Sequence, residues 1–206
     1  MPKLGMRPIR REQICRAAAA VISREGFAGT TMRMVAEEAG VSTGMLNHYF
    51  ENRQDMLTNA LLYVSERTQD RYREAIADVP AGVERLTVLL DSALADDEEM
   101  REAWRVWINA YAEAVRLPEL RHTIEARLHS WWDLIDQALE GLLPPPRRGE
   151  IPASWRLDAM LNGLAIQALT SEAALDGRKI RDEVIRVMLA AAADPAAKRK
   201  RVAARR

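Results

Sequence analysis

The sequence predicts an all-α protein of about nine helices, with a small N-terminal three-helix domain and a larger helical C-terminal domain. Ala, Leu, Arg and Glu dominate the 206 residues and only two Phe occur, a composition that favours helix. Apolar residues recur at helical spacing in successive segments, and Gly or Pro separates most of these segments. No alternating strand pattern or hairpin signal occurs.

The helix ends are predicted from capping and breaking residues. Gly26 and Gly40 are expected to end the first two helices, and Ser42 is a good N-cap for the third. Pro80 ends a long fourth helix. The expected helices are, in order, residues 9–25, 32–39, 43–49, 54–79, 83–95, 98–116, 118–143, 153–176 and 178–193.

Charge is distributed unevenly along a chain whose formal net charge is zero. Residues 1–50 carry seven Lys or Arg against four acids, residues 51–194 carry 17 against 26, and residues 195–206 carry six basic residues and no acid. A basic head on an acidic body favours a nucleic-acid-binding end, although surface charge also varies without function. Residues 195–206 are expected to form a disordered, solvated tail, with nonspecific attraction to DNA as the other interpretation.

The single cysteine and the lack of long apolar runs predict a cytoplasmic protein. Cys15 has no partner for a disulfide within the chain, which fits a reducing compartment. Its place in an apolar run predicts a small core residue. No run of about 18 apolar residues occurs, so no membrane contact is expected, and no apolar stretch follows the basic N-terminus, so no signal peptide is expected.

Residues 32–49 have the spacing of a helix-turn-helix. Ala36 is small where two helices cross, and Gly40 suits a tight turn with positive φ. With the basic helix 9–25 packed across them, these helices form a unit whose last helix can enter the major groove of DNA. An ordinary helical hairpin explains the Ala and Gly, but not the capped second helix. The residues expected to fill the space between the two helices are Val41, Leu46 and Tyr49.

This segment resembles the DNA-binding domain of TetR-family repressors. The residues that carry the resemblance are Gly26-Phe27, Thr30-Thr31, Val35-Ala36, Ala39-Gly40-Val41-Ser42, Gly44 and His48-Tyr49-Phe50. The opening residues 1–11 are also similar to those of choline-responsive regulators within that family. The resemblance implies a DNA-binding domain with a basic arm at 1–52, an effector-binding and dimerisation domain at 53–194, and the tail at 195–206. It implies a ligand-controlled homodimeric repressor on a palindromic operator, without enzymatic activity or cofactor.

The resemblance also implies particular DNA contacts. Thr31 would touch phosphate, and Arg33 is a candidate for guanine recognition because its guanidinium matches O6 and N7. Asn47 stands where many family members have Tyr, and it would touch phosphate or read adenine. His48 contacts phosphate or base, with a buried core histidine as the alternative. The remaining implied contacts are Thr43, Gly44 and Met45 at the start of the recognition helix, Tyr49 beside His48, and Arg53 as a phosphate clamp.

Four basic residues near the N-terminus complete this set as an arm that reaches phosphate or the minor groove. They are Lys3, Arg7, Arg10 and Arg11. A role in solubility alone is the other interpretation of these four side chains.

Aromatic residues of the larger domain predict a ligand site. Trp104, Trp107 and Tyr111 share one helical face, and Trp131 and Trp132 lie on the next helix. Clustered aromatic rings attract quaternary ammonium groups, and the family resemblance points to choline or a related cationic amine. Ordinary core packing is the alternative. A cation site also needs an acid, for which Asp97 and Asp136 are candidates.

The last two helices are expected to form a homodimer. Helices 153–176 and 178–193 carry small and apolar faces, with packing on the protein's own core as the alternative. Pairing them across a two-fold axis would place two recognition helices about 34–36 Å apart, one turn of DNA. Ligand would push the helix 98–116, which would move the helix 54–79 and the DNA-binding head.

Two other classes remain open from the sequence. An enzyme is disfavoured because no phosphate loop or nucleophile elbow occurs. A metal site is a weaker alternative, on the helical face that carries His122, Glu125, His129 and Asp133. A DNA-binding dimer controlled by a protein partner, with no small effector, is the last alternative.

Overall fold

The computed structural model describes residues 6–143, 145, 146, 148–170 and 176–193, with side chains from residue 10 to residue 190 in those ranges. Within them nine helices form and no strand does, which confirms the all-α prediction. None of the described helices combines the length and the apolar character needed to cross a membrane. The helices are α1 (Met6–Gly29), α2 (Met32–Ala39), α3 (Thr43–Tyr49), α4 (Arg53–Ile76), α5 (Val83–Ala93), α6 (Glu98–Ala114), α7 (Pro118–Leu139), α8 (Ala153–Thr170) and α9 (Gly177–Ala193).

α1 starts earlier than predicted and breaks where predicted. It begins at Met6, because Pro8 falls in the first turn, where its missing N–H has no intrahelical acceptor to lose. Arg7 therefore lies in a helix rather than in a flexible arm, and its side chain lies outside the described ones, as does all of Lys3. Gly26 interrupts the helix with φ 71° and ψ 173°. A Cβ there would meet Oδ1 of Asn109 at 2.8 Å, and the positive φ itself strains any other residue.

The chain divides into two compact units. The first comprises the described parts of Met1–Asp70 with Asp97–Leu128, and in it α1 packs mainly against α6 and α2. Its core includes Ile14 and Ile22 of α1 and Leu57 of α4, all fully buried. The predicted functional boundary after residue 52 lies inside this unit and stays a prediction.

Cys15 belongs to the core of the first unit. It is 5% exposed, as its apolar surroundings in the sequence predict. Burial raises the pKa of its thiol to about 11, the nearby Arg11 opposing the shift. The thiol is therefore protonated at neutral pH, and Cys15 serves as a small apolar side chain.

The second unit contains the end of α4, α5, the second half of α7, α8 and α9, in the described parts of Arg71–Asp96 and His129–Arg206. α9 packs against α8 and α5, and Nη1 of Arg181 lies 2.6 Å from Oδ1 of Asp91 to join α9 to α5. Part of the face predicted for dimer contact is buried here instead, because α5, α8 and α9 share one core. The residues so buried are Leu161, Ala165, Val184 and Met188.

Candidate nucleic-acid interface and ligand site

The turn between α2 and α3 is built around Gly40. Its φ of 64° and ψ of 34° lie in the left-handed region, which a β-carbon disfavours. The N–H of Val41 donates to the carbonyl of Ala36 at 2.9 Å, and the N–H of Gly40 donates to that of Glu37 at 3.2 Å. These two bonds form a Schellman motif, which ends α2 and redirects the chain into α3.

Two hydroxyl groups cap the helices on either side of this turn. The Thr31 hydroxyl accepts from the N–H of Met34, and the Ser42 hydroxyl accepts from the N–H of Met45, each at 3.2 Å. Such N-caps contribute about 1 kcal/mol each. The Thr31 hydroxyl still has its proton to donate, so the cap is compatible with the predicted phosphate contact.

α3 rests on one fully buried side chain. Leu46 is 0% exposed and is the buried residue of this helix. Val41 and Tyr49, predicted to fill the same space, are only half-buried. On the other helix Val35 and Ala36 are buried, as the small residue at the crossing predicts. The helix-turn-helix is thus held by a short apolar seam around Leu46.

The outward face of α3 carries most of the predicted DNA contacts. The exposed residues there are Thr43, Gly44, Met45, Asn47 and His48. The exposure of His48 rules out a buried core histidine, and its ring meets that of Tyr49 edge-on at 5.8 Å between centroids. The Arg33 side chain on α2 is 83% exposed and pairs with Glu37 at 2.8 Å. Such an exposed pair holds the guanidinium only weakly.

The Arg53 side chain makes its hydrogen bonds within the first unit. Its guanidinium donates to the backbone carbonyls of Phe27, Ala28 and Thr30, which lie just after the break in α1. Backbone carbonyls at a helix end have no intrahelical donor, so this fork satisfies groups that would otherwise be unpaired. The Arg53 guanidinium, predicted to contact phosphate, thus bonds backbone carbonyls in this structure, and its phosphate contact stays a prediction.

Replacing Arg53 should therefore destabilise the protein. We expect Arg53→Ala to lower the free energy of unfolding by about 2–3 kcal/mol, since charge-assisted bonds to partly buried carbonyls are lost. Arg53→Lys keeps the charge but not the planar fork and should lose nearly as much. Arg33→Ala is the exposed control and should change stability by less than about 0.5 kcal/mol. Unchanged urea denaturation with weakened DNA binding in Arg53→Ala would restore the phosphate role.

Arg11 also serves the fold rather than an arm. Its Nη2 donates to Oδ1 of Asn59 at 2.8 Å, and its guanidinium lies 5.6 Å from the centroid of the Phe50 ring. These contacts fasten α1 to the beginning of α4. Arg10 is exposed and makes a 3.4 Å hydrogen bond to Gln13 one turn along α1.

A buried carboxylate organises the aromatic residues of the second unit. The Nε1 of Trp131 donates to Oδ1 of Asp158 at 2.9 Å, and the Nε1 of Trp132 donates to Oδ2 at 3.1 Å. Asn162 Nδ2 adds a third bond, to Oδ1, at 2.9 Å. Asp158 is only 9% exposed. The two adjacent indoles predicted as ligand residues are thus both oriented by one acid on α8.

Further rings surround this pair. The Trp155 and Trp132 rings stack with centroids 4.4 Å apart and planes tilted by 34°. Tyr72, at the end of α4, meets Trp131 at 5.1 Å between centroids, and His129 meets Trp132 edge-on at 5.1 Å. We call Trp131, Trp132, Trp155, Tyr72 and Asp158 the indole–carboxylate cluster.

The pKa of the Asp158 carboxyl is raised, because the effect of burial exceeds that of its hydrogen bonds. Burial raises the pKa of its carboxyl above the ordinary value of 3.8, while the hydrogen bonds from Trp132, Trp131 and Asn162 lower it. These three donors are all neutral groups. A buried carboxylate held by neutral donors leaves its negative charge for a cation to compensate.

The other predicted ligand residues fall elsewhere. Trp107 and Tyr111 on α6 meet at 5.6 Å between centroids, and with Trp104 they are half-buried in the first unit. The predicted acids do not join the indoles: Asp97 caps α6 by accepting from the N–H of Met100 at 2.9 Å, and Asp136 is exposed.

Asp158 and Trp155 were missed by sequence reasoning. The available signal was a lone acid between Leu157 and Leu161 on an otherwise apolar helix face, three residues after a further Trp. An acid on a buried helical face needs a partner, and only the structure identifies that partner as two indoles.

A groove in the first unit is less suited to a cation. It has a volume of about 490 Å³ and is lined by Tyr63, Arg67, Glu98, Glu99 and Glu102 among others. Burial, and then repulsion from Glu98, raises the pKa of the Glu102 carboxyl. Glu99 is already paired with Arg67 at 3.0 Å, so arginine compensates part of the acidic charge here, and none of the described residues that line the groove carries an indole.

The predicted metal alternative finds no support in the described residues. No group of three or more His, Cys, Asp or Glu side chains among them is arranged to hold a metal ion. His122 Nδ1 instead lies 2.9 Å from the carbonyl oxygen of Pro118, and His129 packs on Trp132.

Known proteins share both parts of the sequence. Residues 14–60 match the family described as bacterial regulatory proteins, tetR family, and residues 82–203 match the BetI-type transcriptional repressor C-terminal domain. The HTH-type transcriptional regulator BetI of Stenotrophomonas maltophilia is 31% identical over 80% of this chain and 83% of that protein. BetI of Burkholderia thailandensis is 28% identical over 92% of this chain and 98% of that protein.

Solved structures share the fold. A TetR-family transcriptional regulator from Rhodococcus sp. superposes with a TM-score of 0.72 at 28% identity, covering 87% of this chain and 96% of that one. A transcriptional regulator from Saccharomonospora viridis, solved in complex with choline, also gives 0.72, at 23% identity, covering 86% and 94%.

The helix-turn-helix head and the all-helical body define a transcriptional regulator, and the chain belongs to the TetR family of bacterial regulatory proteins. This is a family of regulators, not of enzymes. Within it, the protein is a BetI-type transcriptional repressor.

Proposed function

We propose that this repressor binds a palindromic operator as a homodimer and is released by a small cationic amine, with choline the first candidate. The observation that carries the effector assignment is the buried Asp158 carboxylate, bonded by the N–H groups of two adjacent indoles. Membership of the BetI type, and a structural neighbour solved with choline, support the same ligand class.

The DNA surface of this proposal is the exposed face of α3. Thr43, Gly44 and Met45 would lead into the major groove, with Asn47, His48 and Tyr49 following. Gly44 has no side chain to hold the backbone away from DNA. Thr31 would donate to phosphate, and Arg33 would read guanine. Arg7 and Lys3 remain candidates for phosphate contacts beyond the described side chains.

The chemistry of the indole–carboxylate cluster suits a quaternary ammonium. Indole faces attract such a cation by about 0.5–2 kcal/mol per ring, and Asp158 supplies the counter-charge. A quaternary ammonium has no N–H to donate, so it need not displace the indole N–H groups from the carboxylate. A primary ammonium would compete with them for the same oxygens.

An exposed apolar stripe on α8 is the proposed dimer contact. Trp155, Ile166 and Leu169 are 44%, 38% and 40% exposed, and their spacing places them on one side of the helix. Exposed apolar stripes of this kind mark protein contacts. The predicted pairing of the last two helices is therefore retained with α8 contributing this stripe, while the buried residues of α9 serve the core.

Tyr72 offers a route from ligand to DNA. Its ring contacts Trp131, and it belongs to the same continuous helix, α4, that begins at Arg53 beside the recognition helix. A ligand that displaces Trp131 would shift α4 directly. The predicted route through the helix 98–116 is the alternative, and Tyr72→Ala should uncouple ligand binding from DNA release only in the first case.

The test is binding of the full-length protein to a fragment of its own promoter, measured across a salt titration with and without choline. Salt-sensitive binding that weakens about 5–150-fold with choline, a coupling of about 1–3 kcal/mol, is expected. Tight DNA binding that no small amine changes would favour the protein-partner alternative, and no binding to any promoter fragment would contradict the proposal altogether.

Arg33 gives a residue-level prediction for the DNA surface. Arg33→Ala should weaken binding to the operator by about 1–3 kcal/mol, as loss of a bidentate guanine contact does, and binding to random DNA much less. Titrations on both sequences measure the difference. Lys179→Ala, which removes an exposed cation on α9, is the charge-matched control. An equal loss on both sequences would reduce Arg33 to a phosphate contact.

A further inference from the structure

One buried hydroxyl beside the indole–carboxylate cluster lacks a partner. Ser154 is 1% exposed, and no hydrogen-bond partner for its Oγ exists among the described residues. Buried polar groups are almost always paired, because an unmade hydrogen bond costs about 1–3 kcal/mol. A hydroxyl kept in this state needs an explanation.

The position of Ser154 in α8 explains why the helix itself provides no partner. A serine inside a helix can bond to the carbonyl four residues earlier. Ser154 is the second residue of α8 (Ala153–Thr170), so the preceding turn that would supply this carbonyl does not exist.

The same position places Ser154 beside the carboxylate. Residues four apart lie on one helical face, about 5–6 Å apart at Cβ, and Ser154 and Asp158 are both on the buried face of α8. Trp155, the next residue, stacks on Trp132, whose N–H bonds Asp158. The Ser154 hydroxyl, for which no described residue is a partner, therefore lies on the same face of α8 as the carboxylate of the cluster.

We propose that Ser154 is the specificity-determining residue that bonds a neutral hydroxyl of the effector. This inference rests on the proposed function, in which Asp158 and the indoles hold the cationic end. A hydroxyl a short carbon chain away from the ammonium group can reach one helical turn along α8. A carboxylate in that place would be repelled by Asp158, so the site selects a hydroxylated quaternary ammonium over an otherwise similar betaine.

The test compares choline with tetramethylammonium, which lacks the hydroxyl, by tryptophan fluorescence and calorimetry on the full-length protein. The unmodified protein should bind choline about tenfold tighter than tetramethylammonium, the effect of one hydrogen bond to a buried group. In Ser154→Ala this preference should fall to within about twofold, with tetramethylammonium affinity unchanged. Ser92→Ala, on α5, is the matched control and should keep the preference.

The thermal midpoint separates this role from a structural one. Because none of the described residues bonds the Ser154 hydroxyl, Ser154→Ala should leave the midpoint unchanged or raise it. A lowered midpoint with equal losses for both ligands would overturn the assignment, as would an unchanged preference for choline. If the unmodified protein binds neither cation, the cationic effector itself is wrong and this assignment falls with it.

Discussion

Asp158→Asn is expected to lower the affinity for choline about 100-fold. At an effective dielectric near 20, a carboxylate and a cation about 5 Å apart attract by about 3 kcal/mol, and each 1.36 kcal/mol is a factor of ten. The amide keeps the shape of the side chain and one acceptor oxygen, but its NH2 group faces the second indole N–H, so the thermal midpoint of the variant should be measured alongside. Calorimetry with the full-length protein measures the loss directly.

The matched control is Asp136→Asn. Asp136 is an exposed carboxylate on α7, the helix that also carries Trp131 and Trp132, and its loss should change choline affinity less than about twofold, because exposed charges are screened. If Asp136→Asn weakened binding and Asp158→Asn did not, the cation would be bound outside the indole–carboxylate cluster.

The pH dependence of binding gives an independent readout of the same acid. Burial raises the pKa of the Asp158 carboxyl, so it takes up a proton at a higher pH than an ordinary aspartate does. Protonation removes the counter-charge, and choline affinity should therefore fall as pH is lowered through this raised pKa. Asp158→Asn should lose that dependence.

The second large effect is expected at Leu46. This side chain is 0% exposed, and Leu46→Ala should lower the free energy of unfolding by about 2–5 kcal/mol through lost burial and the cavity left behind. For a chain of this length the thermal midpoint should fall by about 2–4 °C per kcal/mol. Specific DNA binding should also disappear, because the recognition helix α3 loses the buried side chain that supports it.

Met45→Ala is the neighbouring control. Met45 is 40% exposed on α3, so its truncation should leave stability within about 0.5 kcal/mol while weakening binding to the operator. Circular dichroism during urea unfolding and a DNA titration separate the two effects. Equal destabilisation by both substitutions would mean that α3 is packed on both faces and is not free to enter a groove.

The sequence predicted the helix-turn-helix because the residues that end α2 and begin α3 act on their close neighbours in the chain. Gly40 ends α2 and Ser42 caps α3 through bonds that span five residues or fewer. The bounds predicted for α2 and α3 are those observed, because cap residues and helix period indicate the same ends. The long helices were also predicted, with ends that differ by a few residues.

The sequence did not predict the partners that side chains find across long stretches of chain. Arg53 bonds carbonyls 23 to 26 residues earlier, and Asp158 bonds indoles 26 and 27 residues earlier. Local pattern carries no information about such contacts, which depend on how helices pack. A basic residue at a helix start therefore predicted a phosphate contact without indicating its backbone partners, and the acid that bonds the two indoles was not identified.

The buried Cys15 makes the protein convenient for spectroscopy. Thiolates attack maleimides and thiol-reactive nitroxide reagents, and the one native thiol is both buried and protonated. A cysteine introduced in place of exposed Met45 would therefore react alone, without prior removal of the native one. In a two-fold assembly each subunit would then carry one probe on its recognition helix, and electron resonance would measure how far ligand separates the two.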